Sequence, residues 1–385
     1  MISRFVSERK EKSPLTKRNE YGIIIHEKAE FTPDVPLAHF TKTPDGETII
    51  AMGIFDGRGS DKYKKDDSLS LPGILSMSKD KGRTFTKTGV FKEGCGGLLL
   101  CTQKGTLILA YSDLGKMSEF DWDNELHDAK NAKLPTYVSR SLDLGKTWQK
   151  PKLLHEDWTG ANMDILQTRK GRVVFTSMKL FHNPGRHVVL TYGSDDEGKT
   201  WTASNIIDLG GVGHHGGAME AVMVELKDSR LLKLIRTNWG QFWAAYSEDE
   251  GRYWHPYGPS GIDASTAPAR LVRLASGRIA VLWNRWFPEG EKEVKFWGGD
   301  CNFMETKTSN QREELSLSFS EDEGESWSAP VVIAKNPGGG HISYPYAFEP
   351  EPGRIWILSA WTKVKKSEEY FDAPLRMQIY EKDFV

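Results

Sequence analysis

Five copies of one eight-residue pattern, Ser-x-Asp-x-Gly-x-(Thr/Ser/Tyr)-(Trp/Phe), constrain this chain more than any other feature. They run from Ser78 to Phe85, Ser141 to Trp148, Ser194 to Trp201, Ser247 to Trp254 and Ser320 to Trp327. In each copy the Asp (Asp80, Asp143, Asp196, Asp249, Asp322) supplies side-chain-to-backbone hydrogen bonds and the Gly a position of positive φ. The pattern is therefore a turn, and the aromatic that closes it packs on neighbouring strands. Five copies predict five similar strand-turn-strand units. Repeated units need their neighbours to form a core, so the 385 residues read as one domain, 1–385, rather than two or three.

Charge and cysteine content narrow the function. The net charge of −2 comes from 51 basic and 53 acidic residues spread along the chain. No polybasic stripe argues for nucleic acid or a membrane surface, so any charged partner has to be recognised locally. Cys95, Cys101 and Cys301 form no metal-type spacing, and an odd count is a poor disulfide framework; inert thiols are expected. The first twelve residues are charged and lack the apolar core of a secretory signal. No other segment approaches the roughly 20 apolar residues of a membrane span. As written the chain is expected to be cytoplasmic, with a trimmed form of an exported enzyme as the alternative.

The repeated turn resembles the Asp box of sialidase-like β-propellers, the BNR-repeat proteins, and the resemblance spans nearly the whole chain. It implies an all-β fold, a six-bladed β-propeller of four-stranded antiparallel blades with Asp-box turns. A second series gives the blade number. Turn residues followed by β-rich apolar segments begin at Thr43-Pro-Asp-Gly46, Thr102-Gln-Lys-Gly105, Thr168-Arg-Lys-Gly171, Leu226-Lys-Asp-Ser229, Leu274-Ala-Ser-Gly277 and Pro350-Glu-Pro-Gly353. These read as hairpins entering buried strands. Six hairpins imply six blades, one of them without an Asp box. Residues 21–27 and 377–382 are both strand-like and are expected to help close the last blade. Residues 116–135 lack strand alternation and read as a long excursion, with helix as one alternative.

In such a ring, function lies at the hub, where innermost strands and their loops project polar groups into one cavity. The segment Gly213-His-His-Gly-Gly-Ala-Met-Glu220 leads into a strand pair that ends at Leu234-Ile-Arg236. Sialidases carry a Glu here that polarises a catalytic Tyr, and an Arg on the next strand that helps hold the substrate carboxylate. The resemblance gives those roles to Glu220 and Arg236. An acid opening an apolar strand has to be paired or solvated in a cavity, so a structural salt bridge between the two is the alternative. His341-Ile-Ser-Tyr344-Pro-Tyr-Ala-Phe348 stands where the family has its Tyr nucleophile. A phenol with an ordinary pKa near 10 needs an adjacent base, and Glu220 is the candidate; plain packing is the other reading of Tyr344. Asn310-Gln-Arg312 matches the position of a further carboxylate-binding Arg, a task that suits a planar guanidinium. Its bland reading is an exposed Arg paired with Glu313 or Glu314.

The general acid and base of the family sits on a loop that resembles Phe55-Asp-Gly-Arg58-Gly-Ser-Asp61. Asp61 is the candidate, with Asp66 and Asp67 as alternatives. One departure stands out. The family's Arg-Ile-Pro motif aligns with Pro36-Leu37-Ala38, and no Arg follows until Arg58. The carboxylate-binding triad is therefore incomplete, leaving Arg236, Arg312 and Arg58, so the substrate is expected to differ from ordinary sialic acid. His39, in the strand where the missing Arg would start, is a candidate for a neutral or differently placed sugar group. His214 and His215, in a Gly-rich loop beside Glu220, are candidates for sugar contact or proton transfer. A metal site with Glu220 or His341 is not expected, because adjacent His side chains point apart on an extended chain. Trp239, Trp243, Trp283, Trp286 and Trp361 lie on or beside inner hairpins; most are expected in the core, one or two in the cleft.

The resemblance thus implies a glycoside hydrolase of sialidase type, without a cofactor, acting on a terminal acidic sugar of a glycan. Tyr344 and Glu220 with Asp61 would carry a retaining mechanism, and Arg236, Arg312, Arg58, His214, His215 and His39 would contact substrate. Two alternatives are a polysaccharide lyase or other uronate-directed enzyme using Tyr344 and a His, and a glycan-binding propeller without catalysis.

Overall fold

The computed structural model describes residues 11–53, 72–94, 97–294, 296–301, 303–366 and 369–385. Within them six sheets of four or more antiparallel strands follow one another along the chain, beside two smaller sheets of two and three strands. Their first strands are Ala38–Lys42, Leu98–Cys101, Ile165–Gln167, Met219–Glu225, Arg270–Arg273 and Tyr346–Glu351, and they open blades 1 to 6. First strands of neighbouring blades pack around a hub. Each hairpin turn read from the sequence joins the first two strands of one blade. The residues that close these turns, Gly46, Gly105, Gly171, Ser229, Gly277 and Gly353, all have positive φ.

Ring closure is visible in where the apolar side chains gather. Phe40 and Ala51 of blade 1 pack with Trp356 and Leu358 of blade 6; Ile50 and Leu75 of blade 1 pack with Leu99 and Leu109 of blade 2. Four further clusters join blades 2 and 3, 3 and 4, 4 and 5, and 5 and 6. A strand covered on both faces by neighbouring blades has no solvent side. That is why Leu231–Arg236 and Ile279–Trp283 are buried at every position and read as apolar runs rather than alternations.

The Asp boxes join blades as well as strands. In blade 1 the Ser78 hydroxyl donates to Asp80 Oδ1 at 2.7 Å and accepts from the Gly82 amide at 2.8 Å, while Asp80 accepts from the Thr84 amide at 2.9 Å. Gly82 has φ +83°, and a Cβ there would fall 2.1 Å from the Trp356 ring of blade 6. Gly145, Gly198 and Gly251 stand in the same way against Leu75, Ile108 and Val174 of the preceding blades. The Glu after the Asp reaches the preceding hairpin turn: Thr102 donates to Glu197 at 2.5 Å and Thr168 to Glu250 at 2.8 Å.

Two expectations change. Residues 24–26 do not close the last blade; they pair with Val331–Lys335 and extend blade 5 to six strands. The closing strand is Glu30–Phe31, paired with Leu375–Tyr380 of blade 6. Blade 6 thus takes its fourth strand from the other end of the chain. No turn joins its third and fourth strands, which is the physical reason it has no Asp box. The excursion is not helical beyond a single 3-10 turn at Leu114–Lys116; Phe120 and Trp122 instead pack on Ala129, Ala132 and Leu180. Among the described residues no helix is long and apolar enough to cross a membrane.

Candidate functional site

Four distant segments meet at one end of the hub. Glu220 lies at an irregularity in blade 4, where Met219 pairs with Arg236 and Ala221 with Ile235. The bulge re-aims one side chain at the mouth of the sheet. Arg236 ends the second strand of the same hairpin. Tyr344 stands between Ser343 and the first strand of blade 6, with φ +54°, a left-handed conformation that costs a bulky residue strain. Arg312 precedes the third strand of blade 5, Glu314–Ser320, and its carbonyl accepts from the Ile342 amide at 2.6 Å.

The Tyr344 hydroxyl donates to Glu220 Oε1 at 2.8 Å, and Arg236 Nη1 donates to Glu220 Oε2 at 2.8 Å and to the phenol oxygen at 3.4 Å. Arg236 is 1% exposed and Glu220 8%. Burial opposes the Arg236 charge, but Glu220 and Tyr344 outweigh it and hold its pKa above the ordinary value. Burial, reinforced by the Glu220 charge, pushes the Tyr344 phenol up to about 12. It is therefore a neutral hydrogen-bond donor at physiological pH, with a carboxylate positioned to take its proton.

Arg312 lies with its guanidinium 5.8 Å from the centre of the Tyr344 ring. Its Nε donates to Asn310 Oδ1 at 2.8 Å and its Nη2 to the Thr266 carbonyl at 2.6 Å. It does not pair with Glu313 or Glu314; Glu314 instead takes Lys335 at 2.7 Å. Among the described residues no carboxylate pairs with Arg312. Burial and the Arg236 charge lower its pKa to about 10, which still leaves it a cation. With Glu220 balancing Arg236, the described residues of the site leave the Arg312 charge without a carboxylate partner, an arrangement suited to an anionic group.

Sequence reasoning missed Thr266. Fully buried, it holds both guanidinium groups: its hydroxyl accepts from Arg236 Nε at 3.1 Å and Nη2 at 2.8 Å and donates to Asn238 Oδ1 at 2.6 Å, and its carbonyl accepts from Arg312. Thr and Asn are too common in loops for either to have stood out.

His214 and His215 are not splayed. Glycines on both sides bend the loop, and the two rings lie 4.2 Å apart, His214 also against Phe120 and His215 stacked on Phe303. Three loops from different blades meet in this aromatic crest. Backbone bonds join them, His215 N to Phe303 O at 2.8 Å directly, and Gly213 N to Gly185 O at 3.0 Å with Gly185 N to His127 O at 2.7 Å by way of a blade 3 turn. It is the His215 carbonyl that reaches toward the arginines, accepting from Asn238 at 2.5 Å. Burial, with Arg236 adding to it, lowers His215 to about 2. No group of three or more His, Cys, Asp or Glu able to hold a metal exists among the described residues.

A cavity of about 250 Å³ adjoins Tyr344 and is lined by His39, Asn162, Arg270, Tyr346 and Trp361. His39 is held edge-on to Tyr346 at 4.7 Å. Trp361 is 54% exposed with its ring 5.4 Å from Tyr344. Trp283 is wholly buried, and Trp239 and Trp243 pack on each other at 5.6 Å. Arg58, Asp61, Asp66 and Asp67 lie outside the described residues.

Residues 97–357 match the family described as BNR repeat-like domain. No protein among the curated sequences matches the chain. Solved structures share its fold at low identity. The Hadza microbial sialidase Hz136 superposes with a TM-score of 0.59 at 16% identity, over 91% of this chain and 66% of its own. The NanB sialidase of Streptococcus pneumoniae gives 0.59 at 14%, over 97% and 71%. An alpha-L-arabinanase of Penicillium chrysogenum, complexed with arabinobiose, gives 0.53 at 14%, over 92% and 96%. The chain thus spans about two thirds of the length of these sialidases and nearly all of the arabinanase. A match over two thirds of the sequence, on a ring of blades built with the repeated Ser-Asp-Gly turn, makes this chain a member of the BNR repeat-like domain family.

Proposed function

We propose that the protein is a glycoside hydrolase that removes a terminal acidic sugar from a glycan with retention of configuration. The observation that carries the reading is the short bond from the Tyr344 hydroxyl to Glu220, with Arg236 beside both. In this mechanism Tyr344 Oη attacks the anomeric carbon while its proton passes to Glu220, and the glycosidic oxygen leaves with a proton from an acid on the loop that carries Asp61. Water then attacks the anomeric carbon of the tyrosyl adduct, giving its proton to that same loop carboxylate, and Tyr344 regains its proton from Glu220. A neutral phenol suits attack beside an anionic substrate, because a carboxylate nucleophile would meet like-charge repulsion. Arg312 and Arg236 hold the acidic substituent. The similar propellers described as sialidases and as an arabinanase support the glycosidase class. A uronate lyase on this scaffold would need a His beside the phenol, and the groups bonded to Tyr344 are a carboxylate and a guanidinium.

The test is cleavage of a fluorogenic sialoside. Wild type should release the fluorophore, and Tyr344→Phe should lose at least about 10³-fold in kcat/KM. Absence of turnover on sialosides and other acidic glycosides, with glycan binding retained, would replace this reading with a binding propeller.

A further inference from the structure

Thr266 stands in the link between the last strand of blade 4, Tyr257–Asp263, and the first strand of blade 5. Its amide donates to the Ser309 carbonyl at 2.8 Å, one residue before the Asn310 side chain that accepts from Arg312 Nε. From a backbone fixed in this way to blade 5, Thr266 offers an oxygen to each arginine, its hydroxyl to Arg236 and its carbonyl to Arg312. The hydroxyl takes the Nε–Nη2 edge of Arg236 and leaves Nη1 to Glu220 and Tyr344.

These hydrogen bonds run in one direction. A hydroxyl has a single proton, and Thr266 gives it to Asn238 Oδ1, which turns the hydroxyl lone pairs to Arg236. Only an amide nitrogen can meet a carbonyl, so the bond from Asn238 Nδ2 to the His215 carbonyl leaves the Asn238 oxygen for Thr266. The chain begins in the aromatic crest and ends on Arg236. It acts against a repulsion, since two guanidinium groups share one buried place and the Arg236 charge helps to lower the Arg312 pKa. Of the two arginines Glu220 is bonded to Arg236 alone. Their spacing is set by two oxygens of one residue, hence by the covalent geometry of Thr266 rather than by how blades 4 and 5 settle on each other.

We propose that Thr266, oriented by Asn238, is the positioning residue of the anion site: it holds Arg236 and Arg312 at one spacing before substrate arrives and so sets affinity for the acidic group rather than the rate of chemistry. The proposal rests on the reading that the two arginines receive the acidic substituent. Guanidinium groups ordered in advance spare the cost of ordering them on binding. A grip that is equal in bound substrate and transition state appears in KM and leaves kcat unchanged.

The test compares Thr266→Val, which fills the same space and keeps the carbonyl but lacks the hydroxyl, with Thr266→Ser, which keeps both oxygens. On a fluorogenic sialoside Thr266→Val should raise KM at least about tenfold with kcat within about threefold of wild type, and Thr266→Ser should bring KM back to within about threefold. A second readout needs no turnover. Hydrogen exchange of the Arg236 Nε–H, followed by NMR on the arginine-labelled full chain, should quicken about tenfold or more in Thr266→Val and stay slow in Thr266→Ser. Asn238→Ala leaves the hydroxyl but frees it to turn; it should quicken the same exchange, and it decides the matter if Thr266→Val does not fold. Arg236 exchange unaltered in these variants, Thr266→Ser as impaired as Thr266→Val, or a fall in kcat with KM unchanged overturns the proposal. Exchange that follows the hydroxyl while wild type cleaves no sialoside would retire the hydrolase and keep Thr266 as the residue that fixes the arginines.

Discussion

Single residues carry two opposite electrostatic arrangements. The Glu220–Arg236 pair is buried, hydrogen-bonded and shared with Tyr344. Glu220→Gln should therefore lower kcat/KM by about 10³-fold or more and, by leaving Arg236 buried without its counter-charge, cost on the order of 3 kcal/mol in urea denaturation. Lys233 is the contrary case. It is fully buried with its Nζ 3.7 Å from the centre of the Trp254 ring and no hydrogen-bond partner among the described residues, and burial drives its pKa far down. In the unfolded chain it holds a proton up to about pH 10.4. The unfolded state thus binds more protons between that value and the lowered folded pKa, and stability rises with pH across the window. Lys233→Met should stabilise the protein by about 1 to 3 kcal/mol at pH 7 and flatten that rise; a variant less stable at pH 7 would count against a neutral, unneeded amine. Of the site residues, Glu220, Arg236, Arg312 and Tyr344 were legible because each stands at a fixed place beside a repeated turn. Thr266 and Asn238 were not, because their importance lies in what other blades bring to them.

At the scale of elements, the Asp-box turn explains its own repetition. Its serine and aspartate satisfy the turn internally, while its glycine lets the preceding blade approach. Gly82→Ala should cost at least about 2 kcal/mol, because the added methyl meets the Trp356 ring and the φ of +83° is strained. Gly105→Ala has the same φ but nothing within 4 Å, so it should cost only about 1 kcal/mol. Thermal melts of the pair separate crowding from backbone strain, and equal losses would refute the inter-blade contact. The turns and hairpins were readable because they depend on local chemistry. The pairing of residues 24–26 with blade 5 was not, since a short apolar strand fits any open sheet edge.

For the whole molecule, closure depends on the start of the chain. Glu30–Phe31 completes blade 6, while Ile23 and Ile25 are buried in the cluster between blades 5 and 6. We propose that the ring unfolds as one unit, so calorimetry should record a single transition. Deleting residues 1–31 should expose that cluster and the edges of blades 5 and 6, giving aggregation or loss of cooperativity. A truncated chain with an unchanged melting profile would mean that closure is dispensable. The central claim is that distant parts of this ring assemble a tyrosine nucleophile with its base. The most direct measurement is peptide mass spectrometry after reaction with a fluorinated sialosyl fluoride, which slows breakdown of a covalent intermediate. The account predicts one sugar adduct, on Tyr344, that fails to form in Tyr344→Phe; an adduct on another residue, or turnover of the reagent by Tyr344→Phe at the wild-type rate, would contradict it.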